Sequence, residues 1–327
     1  MRRILLVILA VLIVATAGVY AMFVRDISGA RARLVGRSRT VETSFGTLEY
    51  AVLGEGDPIL AIHGAGGGFD QAVDMTGAVV GRGYQLIAPS RFGYLRSGLP
   101  DNLTAAMQAD AFAQLLDKLG IDRAAVVGIS AGAWSSLQFA IRHPDRCRAL
   151  ILLVPADYLP AGTANHGGSA VQAIFNSDFI AWGALKFMPI LPGAMTRMML
   201  GTDAGVIRAA QPSEKLRVQQ LLEHLLPVSA RSTGMQFDIK TATTRESYPI
   251  DKIACPLLTI SAEDDRFGTA QRARYIARSV SDGRAIIYPS GGHALVGDYA
   301  EALHEIMSFL QSVKAQSATS EPAKETK

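Results

Sequence analysis

The sequence predicts an α/β domain built on a mostly parallel sheet flanked by helices, with a block of helices inserted between two of its strands. Two observations support this prediction. Short apolar runs alternate with segments of helical spacing over residues 58–154, and two more apolar runs follow after residue 249. Between them, residues 155–248 contain Met-, Gly- and Pro-punctuated helical segments. Alternating strands and helices favour parallel strands joined by right-handed crossovers.

The individual elements are predicted from periodicity. Residues 41–52 alternate apolar and polar side chains around Phe45-Gly46, which predicts an antiparallel hairpin. Continuous apolar runs are typical of strands buried on both faces, and they occur at 58–62, 84–88, 124–128, 149–154, 256–260 and 284–288. Helical spacing predicts helices at 105–119, from about Ala131 onward, and at 298–310. Residues 41–154 and 249–312 therefore form one predicted core, and residues 155–248 form a predicted helical lid.

Composition excludes several classes of protein. The 327 residues carry a formal net charge of +3, and the arginines at 25–39 lack the aromatic interleaving of a nucleic-acid surface, so no nucleic-acid partner is expected. With only Cys147 and Cys255, a disulfide scaffold and a cysteine-rich zinc site are excluded. If their strands are neighbours, these thiols lie close together, and a disulfide between them depends on the cell compartment. Two buried free thiols are the simpler interpretation. No His/Asp/Glu spacing indicates a metal site.

The N-terminal segment is the most apolar part of the chain. Residues 4–24 follow Arg2-Arg3 without a charged residue, and a helix of about 20 residues crosses a hydrocarbon core of ~30 Å. We interpret residues 1–24 as a single membrane span, as in a bacterial inner membrane, followed by a basic linker at 25–40. The alternative is a signal peptide cleaved near Ala15-Thr16-Ala17, which would make the protein secreted. Arginines flank both ends of the apolar run, so the side of the membrane stays open.

The end of the chain is polar. The residues QSATSEPAKETK contain few apolar side chains, and such a composition buries too little apolar surface to fold by itself. We therefore predict a disordered tail at residues 313–327.

A candidate nucleophile lies in the motif Gly128-Ile129-Ser130-Ala131-Gly132. A match to G-x-S-x-G alone is weak, because chance gives one in such a chain about one time in five. The position of the motif is more specific, since it lies where an apolar strand ends and a helix begins. A tight turn at that place needs small neighbours and exposes the serine hydroxyl. The alternative role of Ser130 is that of a helix N-cap.

A serine nucleophile requires a base and an acid that orients the base. The loop SAEDDRF, with Asp264 and Asp265, follows one predicted strand, and His293 follows the last predicted strand after two glycines. Because the carboxyl ends of parallel strands meet at one edge of a sheet, an aspartate of this loop, His293 and Ser130 are expected to converge. Asp157, just past another strand, is a further candidate acid.

A glycine-rich loop, His63-Gly64-Ala65-Gly66-Gly67-Gly68, follows the strand at 58–62. Small residues let backbone N–H groups approach a reacting carbonyl oxygen. An N–H of this loop and that of Ala131 therefore form a candidate oxyanion hole. We expect His63 to fix the loop rather than to act as a base.

Together these stretches resemble the α/β-hydrolase fold family over about residues 41–312. The matching pieces are HGAGGG, VVGISAGAWSSLQFAIRHPDR, SAEDDRF and GGH. The insertion at 155–248 is similar in position to the lid of that family. The resemblance implies six site residues: the nucleophile Ser130, the acid Asp265, the base His293, the oxyanion donors Ala65 and Ala131, and Gly66 beside them in the substrate-binding loop.

Two stretches depart from the family pattern. Members commonly have an aspartate after the fourth strand, followed by Arg-Gly-x-Gly-x-Ser, where this chain has Pro89-Ser90-Arg91-Phe92-Gly93-Tyr94. They also often end the acid loop with Val-Pro, where this chain has Gly268-Thr269. Both departures affect loops, so they weaken inference about the substrate more than inference about the mechanism.

The resemblance implies a serine hydrolase that cleaves a carboxylic ester or related acyl substrate through an acyl-enzyme on Ser130, without a cofactor. A serine at the elbow argues against the aspartyl-ester chemistry of haloalkane dehalogenases and epoxide hydrolases. One alternative keeps the same residues and hydrolyses a carbon–carbon bond in a ring-cleavage product. An alternative of another class is a non-catalytic receptor that binds a ligand under the lid. The acyl group, the leaving group and the oligomeric state stay open.

Overall fold

Eight strands form one sheet in the computed structural model, which describes residues 1–156, 176–187, 192–244 and 248–320. Their spatial order is β1-β2-β4-β3-β5-β6-β7-β8. β1 and β2 form an antiparallel hairpin, β2 pairs antiparallel with β4, and the remaining neighbours are parallel. The strands are β1 Arg39–Thr43, β2 Gly46–Leu53, β3 Asp57–Ile62, β4 Tyr84–Pro89, β5 Ala124–Ile129, β6 Cys147–Leu153, β7 Leu257–Ala262 and β8 Gly283–Tyr288.

The central strands are buried on both faces, as their continuous apolar runs predict. Every residue of β5 and of β7 is buried. Successive side chains of a strand point to opposite faces, and accordingly Val126 packs in the core on one face of the sheet and Val127 in the core on the other. The predicted hairpin and the six predicted strands correspond to β1–β8.

Helices cover the sheet from both sides. Residues of α3, α4 and α10 pack on one face, and residues of α2 and α11 pack on the other. The described helices are α1 Arg2–Leu34, α2 Phe69–Thr76, α3 Ala105–Lys118, α4 Ala133–Arg142, α5 Asp178–Phe187, α6 Pro192–Leu200, α7 Ala204–Ala209, α8 Pro212–Glu223, α9 Ser232–Thr244, α10 Thr269–Ser279 and α11 Tyr299–Ser320. Helices α5 to α9 lie in the insertion between β6 and β7, where the sequence predicts a lid.

The first helix is longer than the predicted membrane span. α1 continues to Leu34, so residues 25–34 are helical, although the charge-rich sequence suggests a linker. Ile27 and Ala30 are buried among lid residues that include Trp182, and this packing extends the helix. An 18-residue window of α1 has a mean hydropathy of 2.8 with none of it buried. By length and composition the helix can cross a membrane, a test that a signal sequence also passes.

The last helix also extends beyond its predicted end. α11 reaches Ser320, so residues 313–320 of the predicted disordered tail are helical, and residues 321–327 lie outside the described part of the chain. Val313 is buried in the core on the face of the sheet that α2 also covers, which explains part of the extension.

The two cysteines lie side by side on neighbouring strands. Cys147 begins β6 and Cys255 precedes β7, and their Sγ atoms are 3.5 Å apart. Both are buried free thiols in this structure, in agreement with the simpler of the two interpretations.

Candidate active site

Ser130 lies on a sharp turn between β5 and α4. Its φ of +49° is in the left-handed region, where a residue with a side chain is strained and is held only by its surroundings. Those surroundings exclude side chains at the two flanking glycines. A Cβ at Gly128 would lie 2.3 Å from the Ser136 hydroxyl, and a Cβ at Gly132 would lie 2.5 Å from the Ile62 carbonyl oxygen. The G-x-S-x-G pattern is therefore a steric requirement of this turn.

The structure brings Ser130, His293 and Asp265 together in one hydrogen-bonded chain. The Nε2 atom of His293 is 2.8 Å from Ser130 Oγ, and its Nδ1 atom is 2.7 Å from Asp265 Oδ2. The carboxylate accepts from Nδ1–H, which leaves Nε2 to accept the serine proton. The three residues lie on the loops that follow β5, β7 and β8. These strands are parallel neighbours or near neighbours, so their carboxyl ends bring the three loops to one edge of the sheet.

The Asp265 carboxyl group is held as an anion. Its side chain is fully buried, and it accepts hydrogen bonds from the Phe267 amide at 2.9 Å and from the Thr269 hydroxyl. Burial by itself raises the pKa of this carboxyl, but His293 and the two donors outweigh burial and lower the pKa below its ordinary value. The site therefore keeps a carboxylate behind the imidazole at neutral pH.

The neighbouring Asp264 has a different contact. Its Oδ1 accepts the backbone N–H of Gly292 at 2.8 Å, so it holds the loop that carries His293 but does not contact the imidazole ring. Asp157, the other candidate acid, lies outside the described residues. Of the two aspartates of the SAEDDRF loop, Asp265 is the one that contacts His293.

The glycine-rich loop passes directly over the nucleophile. A Cβ at Gly64 would lie 3.0 Å from Ser130 Cβ. Within the described residues, neither the N–H of Ala65 nor that of Ala131 is donated to a protein acceptor. The N–H of Gly66 is instead donated to the Tyr94 hydroxyl at 3.3 Å. The amides of Ala65 and Ala131 are therefore available beside Ser130, whereas the amide of Gly66 is committed to Tyr94.

His63 uses both ring nitrogens to fix this loop. Its Nδ1–H donates to the Gly64 carbonyl at 2.7 Å, and its Nε2 accepts the Arg91 backbone N–H at 2.8 Å. Complete burial, with the positive charge of Arg91 nearby, holds the pKa of His63 well below its usual value. The ring is therefore neutral, as expected for a residue that fixes the loop.

A buried ion pair that the sequence does not predict lies behind the loop. The Arg91 guanidinium donates to both carboxylate oxygens of Asp238 in lid helix α9, at 2.7 and 2.6 Å, and also to the Gly64 carbonyl at 3.1 Å. The Tyr94 hydroxyl donates to the same carboxylate at 2.5 Å while it accepts from Gly66. This set joins the lid to the backbone of the oxyanion loop.

A second buried ion pair also joins the lid to the core, but here the arginine belongs to the lid and the aspartate to the core. Arg231, which precedes α9 and is fully buried, donates to Asp70 at 2.7 Å and to the Gly67 carbonyl at 2.6 Å. Arg33 of α1 lies 3.7 Å from the same carboxylate. The sequence signals these pairs only through Ser90-Arg91, where the chain departs from the family pattern. The two members of each pair lie far apart along the chain, so no local pattern shows that they meet.

A serine hydroxyl, an imidazole and a carboxylate lie in hydrogen-bonded order on loops at the carboxyl ends of parallel strands, and this arrangement is typical of α/β hydrolases. Within the described residues, no group of three or more His, Cys, Asp or Glu side chains is placed to hold a metal ion. The sequence profile of the alpha/beta hydrolase fold matches residues 57–298. The chain therefore belongs to the α/β-hydrolase fold family.

The known proteins that resemble this chain include several hydrolases. The chain is 27% identical over 286 residues to the uncharacterized hydrolase YcgS of Bacillus subtilis, covering 84% of this chain and 99% of that protein. It is 34% identical over 273 residues to the 2-hydroxy-6-oxo-6-phenylhexa-2,4-dienoate hydrolase of Comamonas testosteroni, covering 81% and 91%. An alpha/beta hydrolase fold protein from Nakamurella multipartita has a TM-score of 0.66 at 24% identity, covering 84% and 98%. The fold class is confirmed, and the protein is a hydrolase.

Proposed function

We propose that the protein hydrolyses a carboxylic ester or a related acyl compound through an acyl-enzyme on Ser130. The observation that carries the proposal is the continuous hydrogen-bonded chain from Asp265 through His293 to the Ser130 hydroxyl. Its order matches the order of proton transfer in acyl-transfer catalysis. A receptor has no use for this arrangement, and the hydrolase relatives also argue against that alternative.

In the proposed mechanism the Ser130 hydroxyl attacks the substrate carbonyl while His293 Nε2 takes its proton. The negative charge that develops on the carbonyl oxygen is stabilised by the amides of Ala65 and Ala131, and loss of one such donor typically slows the reaction by about 10²–10³. The imidazolium, stabilised by Asp265, then protonates the leaving alcohol. A water molecule repeats the steps and releases the acid from Ser130.

The second candidate is hydrolysis of a carbon–carbon bond, as in the named activity of the Comamonas testosteroni relative. The substrate in that name is a carboxylate, which a free cation in the site would recognise. The two arginines buried beside the oxyanion loop, Arg91 and Arg231, are instead each paired with an aspartate. Neither of these two arginines is therefore free to bind a substrate carboxylate, and rates on aryl esters compared with a vinylogous diketone acid separate the two activities.

The central experiment is labelling of the full-length protein with a fluorophosphonate probe, followed by mass mapping. We expect stoichiometric labelling of Ser130, none in Ser130→Ala and slow labelling in His293→Ala. Ser135→Ala is the matched control, because this buried serine of α4 is five residues away and its hydroxyl faces the Gly132 carbonyl at 3.4 Å. A folded wild-type protein that does not react with the probe contradicts the proposal.

We also propose that residues 4–24 form an uncleaved membrane anchor. The support is that α1 runs without a break from the apolar residues to Ile27 and Ala30, which are buried against the lid. Intact mass of the protein from cell membranes tests this proposal. We expect the full chain in a carbonate-resistant membrane fraction, and a mature protein that begins near Gly18 contradicts it.

A further inference from the structure

A cavity separate from the candidate active site lies between α1 and the lid. Its volume is about 760 Å³, it opens to the surface, and it is lined by the part of α1 that follows the apolar run and by helices that include α5 and α8. Neither Ser130 nor His293 lines it. Cavities of ~300–1,000 Å³ bury most of a small organic ligand, so this one is large enough for a ligand of its own.

One wall of the cavity suits an aliphatic chain. Trp182 and Leu185 of α5 face it from one side, and Val218 and Leu222 of α8 face it from another. Trp182 is 4% exposed, and Val218 and Leu222 are 3% and 5% exposed, so these side chains form a fixed apolar surface. A hydrocarbon chain that lies against this wall is removed from water, which favours its binding.

The rim of the cavity is positively charged. Its lining contains four basic and two acidic side chains, namely Arg25, Arg33, Lys186, Lys215, Asp26 and Glu223. The Asp26 carboxylate is already satisfied by Lys186 at 2.8 Å, Arg25 at 2.9 Å and the indole N–H of Trp182 at 3.0 Å. Glu223 accepts from Gln219 at 2.8 Å. The surplus positive charge is complementary to an anion.

Arg33 is the most enclosed of these cations. Its side chain is 21% exposed, one terminal nitrogen donates to the Leu226 carbonyl at 2.9 Å, and its buried Nε has no hydrogen-bond partner. Burial lowers the pKa of this guanidinium from its ordinary value. The nearest carboxylate to Arg33 is that of Asp70, at 3.7 Å, and Asp70 is already paired with Arg231 at 2.7 Å. Because two arginines share this one carboxylate, positive charge remains at Arg33 for an anion in the cavity.

The cavity also lies where the proposed anchor leaves the membrane. Just before it on α1, Phe23 stacks edge-on against Phe179 and Trp182 of α5, with ring centroids 5.2 and 5.7 Å apart. Phe179 is 48% exposed, so an apolar ring beside the end of the proposed anchor is left uncovered by the protein. Molecules that reach the cavity from this side come from the lipid surface.

We propose that this cavity between α1 and the lid binds a long-chain amphiphile with an anionic head group. The chain lies against Trp182 and Leu222, and the head group lies near Arg33 and Lys215. The site is distinct from the triad, although α8 links the two: Val218 and Leu222 pack in one cluster with Ala294, the residue after His293. A long-chain fatty acid and an anionic phospholipid share this chemistry.

Fluorescence of Trp182 tests the proposal without any turnover, so its outcome is independent of the proposed catalytic function. The chain has two tryptophans, and Trp134→Phe removes the other one. The full-length Trp134→Phe protein, in a sterol-based non-ionic detergent too bulky for the cavity, is titrated with dibromostearate in one arm and with dibrominated phosphatidylglycerol in the other. Bromine quenches an indole only at contact, so we expect saturable quenching in at least one arm. The arm that responds identifies the head group.

Two glycines of α1 provide a matched pair of variants. Gly29 lines the cavity, Gly18 lies on the apolar part of the helix, and a Cβ at either position meets nothing within 4 Å. Gly29→Leu fills the cavity and is expected to weaken binding on the order of tenfold, as overpacking does, whereas Gly18→Leu leaves it unchanged. Lys215→Gln is expected to weaken binding of the anion but not of dibromostearyl alcohol. Absence of quenching in both arms, or quenching that Gly29→Leu does not affect, overturns the proposal.

Discussion

Two regions of the molecule hold charged groups away from water: the candidate triad, and the ion pairs between the lid and the core. They differ in how far apart along the chain their members lie and in how deeply they are buried. Ser130, Asp265 and His293 lie on loops at the ends of strands, and the His293 side chain is still 16% exposed. The pairs Arg91–Asp238 and Arg231–Asp70 are at most 4% exposed and join segments more than 140 residues apart. The three groups of the candidate triad therefore follow from local sequence, whereas the glycine-rich loop beside them is held by long-range pairs.

The largest effect is expected at the triad. Asp265→Asn leaves the shape of the side chain unchanged but removes the charge that orients and stabilises the imidazole, so kcat is expected to fall by about 10⁴. Asp264→Asn is the matched control, because Asp264 contacts the backbone of the His293 loop rather than its ring, and a much smaller loss is expected. Steady-state hydrolysis of an aryl ester measures both variants. Equal losses would mean that the two aspartates share the role.

The second effect concerns stability. Asp238→Asn leaves Arg91 buried beside a neutral amide, and removal of one partner of a buried pair costs about 3–5 kcal/mol of unfolding free energy. The control is Asp203→Asn, whose partners Arg266 and Arg197 are 51% and 55% exposed, and a much smaller loss is expected because water screens an exposed pair. Urea unfolding followed by circular dichroism gives both values. Similar losses in the two variants would show that burial does not distinguish these pairs.

A smaller effect is expected where the lid contacts reach the oxyanion loop. Tyr94→Phe removes the hydroxyl that accepts the Gly66 N–H and donates to Asp238. A lost buried hydrogen bond costs about 1–3 kcal/mol, so we expect kcat to fall roughly tenfold with KM nearly unchanged, because the loop donors act on the transition state. Measured kcat and KM separate the possibilities. A raised KM with unchanged kcat would place Tyr94 in substrate binding instead.

The buried pairs also predict how stability depends on pH. Burial raises the pKa of Asp70, but the adjacent Arg231 outweighs burial and lowers it below its ordinary value. A carboxyl whose pKa is lower in the folded state stabilises the fold above its unfolded pKa, near ~3.9, and this contribution is lost as the pH falls through the folded pKa. Urea midpoints measured from neutral pH downward should fall less steeply for Asp70→Asn than for the wild type. Parallel curves would contradict the sign of the shift.

The sheet and the positions of its loops were predictable from the sequence, because each strand has its own continuous or alternating pattern of apolar residues. The apolar runs at 58–62 and 124–128 correspond to β3 and β5, and the hairpin at 41–52 corresponds to β1 and β2. The ends of helices were less predictable. α1 and α11 continue past their predicted limits because Ile27, Ala30 and Val313 pack against distant elements, and no local pattern shows such packing.

The candidate site divides in the same way. The motif around Ser130 and the loops with Asp265 and His293 were recognisable, since their glycines and polar residues follow apolar strands. Asp238 and Arg231 lie in a lid segment with no distinctive pattern. Only the fold shows that Arg231 contacts the Gly67 carbonyl and that Asp238 holds Arg91, which contacts the Gly64 carbonyl. Gly66 was expected in the substrate-binding loop, and the structure commits its amide to Tyr94.

Local sequence determines the order of strands and helices along the chain, the tight turn at Ser130 and the residue types that the proposed acyl-transfer chemistry needs, because short-range sterics and periodic burial act on neighbouring residues. The three-dimensional fold determines which aspartate contacts His293, which amides stay available beside Ser130, and how α1 and the lid together line a charged cavity. Those outcomes depend on side chains that are far apart in the chain, and a charge buried by folding is stabilised only by the partner that folding brings to it.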